Sequence, residues 1–111
     1  MSGGRPLRID FLFWEGCPSH PEARARLDAA LERAGIEAEV VVREIETDDE
    51  AAQIGFPGSP TIMIDGRDVQ VPDAEAPTGL TCRLYRTSDG RPAPYPDALT
   101  LDTALQEAIR R

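Results

Sequence analysis

The spacing of apolar residues divides the first half of the chain into a strand, a helix and a second strand. Leu7, Ile9, Phe11 and Phe13 recur at every second position, which predicts a β-strand. Between Ala23 and Ala34 the apolar residues recur at helical spacing, and Gly35 offers a left-handed stop. The β-branched run 40–42 lies within residues 38–45, which we expect to form a well-buried strand.

The second half of the chain contains turn and cap signals that place the remaining elements. A capping box over 47–50 predicts a short helix that ends near Gly55, with Glu50 reaching back to the cap residue Thr47. Residues 61–64 read as a third strand, and Asp65-Gly66 as a tight turn into a fourth strand over 68–71. We expect loops at 72–77 and 88–96 and an extended or irregular stretch at 80–85. Thr100 is predicted to cap a last helix whose apolar face consists of Leu101, Ala104, Leu105, Ala108 and Ile109.

The order of these elements predicts an α/β fold. A strand-helix-strand unit requires a parallel crossover, and the following hairpin adds an antiparallel strand. We therefore expect a central four-stranded mixed sheet flanked by helices. The length of 111 residues fits a single domain, 1–111, with an ordered core over 7–111 and a flexible N-terminus over 1–6.

Composition and charge exclude several classes of partner. The formal net charge of -8 repels phosphate backbones and anionic lipids, so we expect neither nucleic acid nor membrane as a partner. No apolar run approaches the roughly 20 residues of a membrane span, and the N-terminus lacks the apolar segment of a signal peptide. These features predict a cytoplasmic location, where thiols are normally kept reduced.

The candidate chemistry centres on Cys17, which follows the first strand and precedes the first helix. Pro18 suits the first helical position, and the amides and dipole at a helix N-terminus favour a thiolate. A thiolate is the nucleophile of disulfide exchange and a ligand for soft metals. His20, one turn further on, is a candidate to favour the thiolate when protonated, or to act as a base or second ligand when neutral.

Each of these residues also has a structural interpretation. A lone cysteine is often a small buried hydrophobe, and a histidine in a first helical turn needs no function. Trp14 either shields the thiol or fills the second face of the sheet. Arg83 is a candidate to steady a thiolate, but an exposed arginine without a role is the simpler expectation. No phosphate-binding glycine loop, serine elbow or metal-ligand cluster is found, so we expect no organic cofactor and no resident metal.

Three motifs resemble the thioredoxin superfamily, and in particular its short bacterial thioredoxin-like proteins. They are Gly16-Cys17-Pro18, 58–61 (Gly-Ser-Pro-Thr) and 81–85 (Thr-Cys-Arg-Leu-Tyr), and the likeness runs from about residue 7 to the end. The resemblance implies a thioredoxin-like fold with Cys17 as the nucleophile and Pro60 as a cis-proline. It further implies that Ser59 offers its backbone amide and carbonyl to an extended, thiol-bearing partner.

The chain departs from that family at the second active-site cysteine. The motif reads Cys17-Pro18-Ser19-His20, so a dithiol cycle within the motif is impossible. Cys82 is the one substitute, because the chain after the hairpin returns toward the Pro60 end of the sheet. The alternative is that Cys82 packs beneath Leu80 and Leu84 as part of the core.

Three functions remain open at this point. In the first, Cys17 attacks a disulfide of a protein or small molecule, and Cys82 or an external thiol resolves the product, as in a thiol-disulfide oxidoreductase. In the second, Cys17 binds a soft metal such as Hg(II) or Cu(I), or an electrophile, with Cys82 or His20 nearby. The third is a non-catalytic binding module that keeps the fold without the chemistry.

Overall fold

A four-stranded mixed sheet forms the centre of the protein. The computed structural model describes residues 6–72 and 75–110, so the first five residues of the expected flexible N-terminus lie outside the described residues. The strand order is β2-β1-β3-β4, with β1 at Leu7–Phe13, β2 at Ala38–Glu44, β3 at Thr61–Ile64 and β4 at Arg67–Asp68. β1 is parallel to β2 and antiparallel to β3, and β3 is antiparallel to β4. The predicted α/β class and the four-stranded mixed sheet are confirmed.

Helices cover both faces of this sheet. α1 (His20–Ala34) and α3 (Ala98–Arg110) pack on one face, and α2 (Asp48–Ile54) lies on the other. The larger core consists of Ile9, Phe11, Ala23, Leu27, Ala30, Ile62, Ile64, Leu101, Leu105 and Ala108. A smaller core on the second face consists of Ile45, Ala51 and Phe56, with Leu12, Trp14 and Leu80 packed around it. The strand end that leads to Cys17 therefore has packed side chains on both sides.

The expectation that β2 is well buried is wrong. β2 pairs with β1 on one side and forms the edge of the sheet on the other. Val40 and Val41 are half-buried and Val42 is 49 % exposed. A β-branched run predicts a strand, but it does not by itself distinguish a central strand from an edge strand.

Turn and cap residues explain most element boundaries. Gly35 and Gly55 end α1 and α2 in the left-handed conformation, and Asp65-Gly66 forms the hairpin turn with φ values of 50° and 83°, as predicted. β4 is shorter than predicted because the Asp68 carboxylate accepts from the Gln70 amide and turns the chain.

The caps of α2 and α3 differ in detail from the prediction. The Thr47 hydroxyl accepts from the Glu50 amide as expected, but the Glu50 carboxylate accepts from the amide of Glu46 rather than that of Thr47. The expectation that Thr100 caps α3 is wrong. The Asp97 carboxylate accepts from the Thr100 amide at 2.9 Å, so the helix starts one residue after Asp97.

A short hairpin occupies the region that we predicted as an irregular stretch and a loop. β5 (Tyr85–Arg86) pairs antiparallel with β6 (Pro92–Ala93). Asp97 also accepts from the Ser88 amide, which ties this hairpin to the start of α3. Of the predicted 72–77 loop, residues 73 and 74 lie outside the described residues. Within the described chain, no helix has the length and apolar character needed to cross a membrane.

Candidate functional site

Cys17 lies in the turn that joins β1 to α1. Its amide donates to the Trp14 carbonyl at 3.0 Å, which closes the turn. The expectation that Pro18 is the first helical residue is wrong, because α1 starts at His20 with Ser19 as its cap residue. Pro21 takes the early helical position, and Pro18 is exposed in the turn. The cysteine thus stands two residues before the cap, and its side chain is fully buried with 0 % exposure.

Hydroxyl and amide donors surround the Cys17 sulfur. The Ser19 hydroxyl lies 3.0 Å from Sγ, and the Ser59 carbonyl, 3.3 Å away, accepts the proton of the neutral thiol. Burial raises the pKa of Cys17, but hydrogen bonds from the hydroxyl and amide of Ser19, from Cys82 and from the side chain of Ser59 outweigh burial and lower it. The thiol therefore ionises more easily than a free cysteine, which is the predicted direction.

Ser59 and Pro60 lie directly beside this turn. The Ser59–Pro60 peptide bond is cis, as the resemblance implies. The Ser59 hydroxyl accepts from the Trp14 amide at 2.9 Å, and both Ser59 and Pro60 are buried. These contacts hold the start of β3 against the turn that carries Cys17.

The backbone groups of Ser59 are occupied by the chain itself. The Ser59 amide donates to the Thr81 carbonyl and the Ser59 carbonyl accepts from the Arg83 amide, each at 2.8 Å. Ser59 and Cys82 thereby form a parallel bridge. The extended partner that the resemblance implies for Ser59 is, in this structure, residues 81–83, which we call the Cys82 segment.

The Cys82 segment brings the second thiol to the first. Both cysteines are free, Cys17 is buried and Cys82 is exposed. The proximity of the Cys17 thiol raises the pKa of Cys82, and Cys82 in turn adds to the serine donors that lower the pKa of Cys17. The alternative that Cys82 packs beneath Leu80 and Leu84 as part of the core is wrong, because Cys82 is exposed and Leu84 is 74 % exposed.

Arg83 anchors this segment, and the expectation of an exposed arginine is wrong. Its side chain is 5 % exposed and donates to both carboxylate oxygens of Asp68 at 2.8 Å. It also donates to the Thr61 hydroxyl at 3.2 Å and lies over the Tyr85 ring at 4.2 Å. Burial lowers the pKa of Arg83, but Asp68 and Tyr85 outweigh burial and raise it, so the guanidinium stays charged.

The sequence contains a signal for this arrangement in the alternation of residues 82–85. Residues 82–85 alternate between exposed Cys82 and Leu84 and buried Arg83 and Tyr85. A period of two in an extended segment places alternate residues on opposite sides. The tyrosine marks the inner side, because its hydroxyl donates to the Pro60 carbonyl at 2.6 Å.

The structure places His20 and Trp14 beside the site, but neither donates a hydrogen bond to the Cys17 sulfur. The His20 ring stacks on Phe13 with centroids 4.6 Å apart, and its Nε2 faces the Glu15 carboxylate at 3.9 Å. Ser19 makes the contact to Cys17 that we expected from His20. The Trp14 indole covers Gly16, where an added Cβ would lie 2.4 Å from the ring, and packs on the smaller core. Trp14 therefore fills the second face of the sheet.

The donor set for a metal is small. In residues 6–72 and 75–110 there is no group of three or more His, Cys, Asp or Glu side chains that could hold a metal ion. Cys17 and Cys82 supply two free thiols, and thiolate sulfur is a ligand that soft metal ions prefer. A scan against models of known protein families and a search of curated proteins find no match to this chain.

Proposed function

We propose that this chain is a thioredoxin-like thiol-disulfide redox protein whose working pair is Cys17 and Cys82. The strand-turn-helix placement of Cys17, the cis-proline beside it and the mixed sheet support the thioredoxin-like assignment. The observation that carries the function is that two free cysteines meet at Ser59: its carbonyl lies 3.3 Å from the Cys17 sulfur, and its backbone pairs with the Cys82 segment. The pKa values of the two thiols shift in opposite directions.

Opposite pKa shifts of the two thiols suit the chemistry of disulfide exchange. The attacking species is a thiolate, and at neutral pH a pair of free cysteines holds few thiolates. Here the Cys82 thiol and the two serines stabilise a negative charge on Cys17. The pair therefore holds one proton between two sulfurs over a wider pH range than either cysteine would alone.

The overall reaction is a two-electron exchange with an external disulfide RSSR. The two sulfurs lose two electrons and form a Cys17–Cys82 bond, while RSSR accepts the electrons and is released as one thiol and one thiolate. The proton that the pair held leaves on the thiol. The reverse reaction regenerates the reduced pair at the expense of an external dithiol.

The test is an equilibrium between this pair and a dithiothreitol redox buffer. We expect one internal disulfide per chain in the wild type, found by mass spectrometry after alkylation of the remaining thiols. Cys17→Ser and Cys82→Ser, as matched single-thiol variants, form none. The contrary result is that both thiols stay free in fully oxidised buffer while the chain is folded, and are oxidised only after the chain is unfolded in urea. That result would exclude this function and favour a non-catalytic binding module.

Binding of a soft metal is a second candidate, favoured by the same convergence of sulfurs. Hg(II) and Cu(I) accept two thiolate ligands, and such a site needs no third side chain. The metal would be a cargo or substrate. Titration of Hg(II) against the wild type and Cys82→Ser separates the candidates. Equal affinity of the two proteins would exclude a joint site, whereas tighter wild-type binding without disulfide exchange would replace the redox proposal.

A further inference from the structure

The two sulfurs of the site differ in their access to solvent. Cys17 has 0 % of its surface exposed, and Cys82 is exposed. In disulfide exchange, the attacking sulfur must reach one of the two sulfur atoms of the disulfide. The rate of exchange therefore depends on the solvent access of the attacking thiol as well as on its ionisation. The sulfur that ionises more easily is thus the one that an external disulfide does not reach in this conformation.

The Cys82 segment is firmly held against Ser59, whose carbonyl also accepts from the Cys17 thiol. Its backbone pairs with Ser59 on both sides of Cys82 at 2.8 Å. The next residue, Arg83, makes a buried bidentate ion pair with Asp68, and breaking such a pair leaves an uncompensated buried charge. The close approach of Gly58, where a Cβ would lie 3.1 Å from the Arg83 backbone, shows how tightly the segment lies on the sheet. Opening the site by lifting this segment is therefore costly.

We propose that Cys82 forms the first bond to an external disulfide and that Cys17 resolves it. This reverses the order expected from the sequence, in which Cys17 attacks first, and it rests on the proposed redox function. Cys82 is the entry sulfur because it alone of the pair is exposed. Cys17 is the resolving sulfur because it is buried next to Ser59, the residue with which the Cys82 segment pairs.

The steps balance with the proton that the pair already holds. As Cys82 Sγ attacks RSSR, its proton passes to the adjacent Cys17 thiolate, the Cys82–SR bond forms and RS⁻ leaves. The Cys17 thiol then gives that proton to the released RS⁻, which becomes RSH. Finally, the Cys17 thiolate attacks Cys82 Sγ, the Cys17–Cys82 bond forms and a second RS⁻ leaves. In this series of steps, Cys17 first acts as the base that accepts the Cys82 proton and then as the nucleophile that attacks the Cys82 sulfur.

The test compares the two single-thiol variants with a neutral disulfide, 2,2′-dithiodipyridine, since the net charge of -8 would repel an anionic reagent. Each mixed disulfide releases one 2-thiopyridone, which is measured by its near-ultraviolet absorbance. We expect Cys17→Ser, which retains Cys82, to react at least about tenfold faster than Cys82→Ser in the folded state. The reaction rates are measured near neutral pH and again at about pH 9.5. At the higher pH, incomplete ionisation no longer limits the rate of either thiol strongly, so a remaining difference in rate reports access. In urea the two variants should react at similar rates.

A second measurement uses the wild type, so that the result does not depend on the variants. Acid-quenched samples taken early in the reaction are mapped by mass spectrometry, and we expect the pyridyl adduct on Cys82 before the internal disulfide appears. An early adduct on Cys17, or equal rates for the two folded variants, would overturn the proposed order while leaving the redox function intact. Failure of the wild type to form an internal disulfide would overturn both.

Discussion

Neutralising Asp68 tests how the second thiol is held in place. Asp68→Asn removes the charge that compensates the Arg83 guanidinium and changes little else in size. Arg83 is 5 % exposed and Asp68 is 12 % exposed, so little solvent is available to replace the lost partner. Removing one partner of a buried pair typically costs about 3–5 kcal/mol. We expect about 3 kcal/mol, because the carboxamide oxygen still accepts one hydrogen bond.

That loss is large against the total stability of about 5–15 kcal/mol for a domain of ordinary size. Urea unfolding measures this loss of stability directly. Unfolding is monitored by circular dichroism and by the fluorescence of Trp14, which is the one tryptophan of the chain. The matched control is Asp102→Asn, which breaks an ion pair with Arg33 whose side chains are 43 % and 46 % exposed. The control should change stability by less than about 1 kcal/mol.

Two further results decide whether the reasoning is right. Arg83→Met combined with Asp68→Asn should cost less than the sum of the two single changes, since the double variant leaves no unpaired charge. The single variant Asp68→Asn should also make Cys82 more mobile and slow formation of the internal disulfide. A loss of stability for Asp68→Asn no larger than that of the exposed-pair control would refute the argument.

Three other predictions follow from contacts near the site and from the cap of α3. Gly16→Ala places a Cβ 2.4 Å from the Trp14 ring and should cost about 1–3 kcal/mol with a shifted emission spectrum; unchanged emission would contradict it. Ser19→Ala removes a donor and should raise the pKa of Cys17, measured by thiolate absorbance against pH; a pKa that stays or falls would contradict it. Burial alone would raise the pKa of Asp97, but hydrogen bonds from the Ser88 amide and from Thr100 hold that pKa well below the usual 3.8. Asp97→Ala should therefore lower the stability by about 1 kcal/mol near neutral pH. That stabilisation is present above pH 3.8 and declines as the pH falls below it, so the difference from wild type should narrow in acid; a constant difference would contradict it.

The sequence alone predicts the strands and helices around Cys17 well because their signals are local. Period-two alternation marks β1, and glycines mark the ends of α1 and α2. The third strand, β3, begins and ends at the residues predicted for it, 61 and 64. The burial of β2 could not be predicted in the same way. Whether a strand lies at an edge depends on which strands pair, and that is a property of the whole sheet.

The sequence names candidate residues for the site but does not predict how they are arranged. Cys17 and Cys82 are both candidates, yet their proximity depends on a bridge between Ser59 and Cys82, which lie far apart in the sequence. The buried position of Arg83 depends on Asp68 in the hairpin, a pairing without a local signal. At the turn, the sequence favours His20 because its chemistry is the more familiar, but Ser19, the cap residue of α1, makes the contact with the Cys17 sulfur.

The donors around Cys17 have a consequence for the energetics of the proposed disulfide. Every interaction that stabilises the thiolate lowers the free energy of the reduced chain and is lost when sulfur bonds to sulfur. About 1.4 kcal/mol of such stabilisation makes the reduction potential of a two-electron couple more positive by about 30 mV. Ser19 and Ser59 therefore make the oxidised chain easier to reduce, and replacing either hydroxyl should shift the balance toward the disulfide.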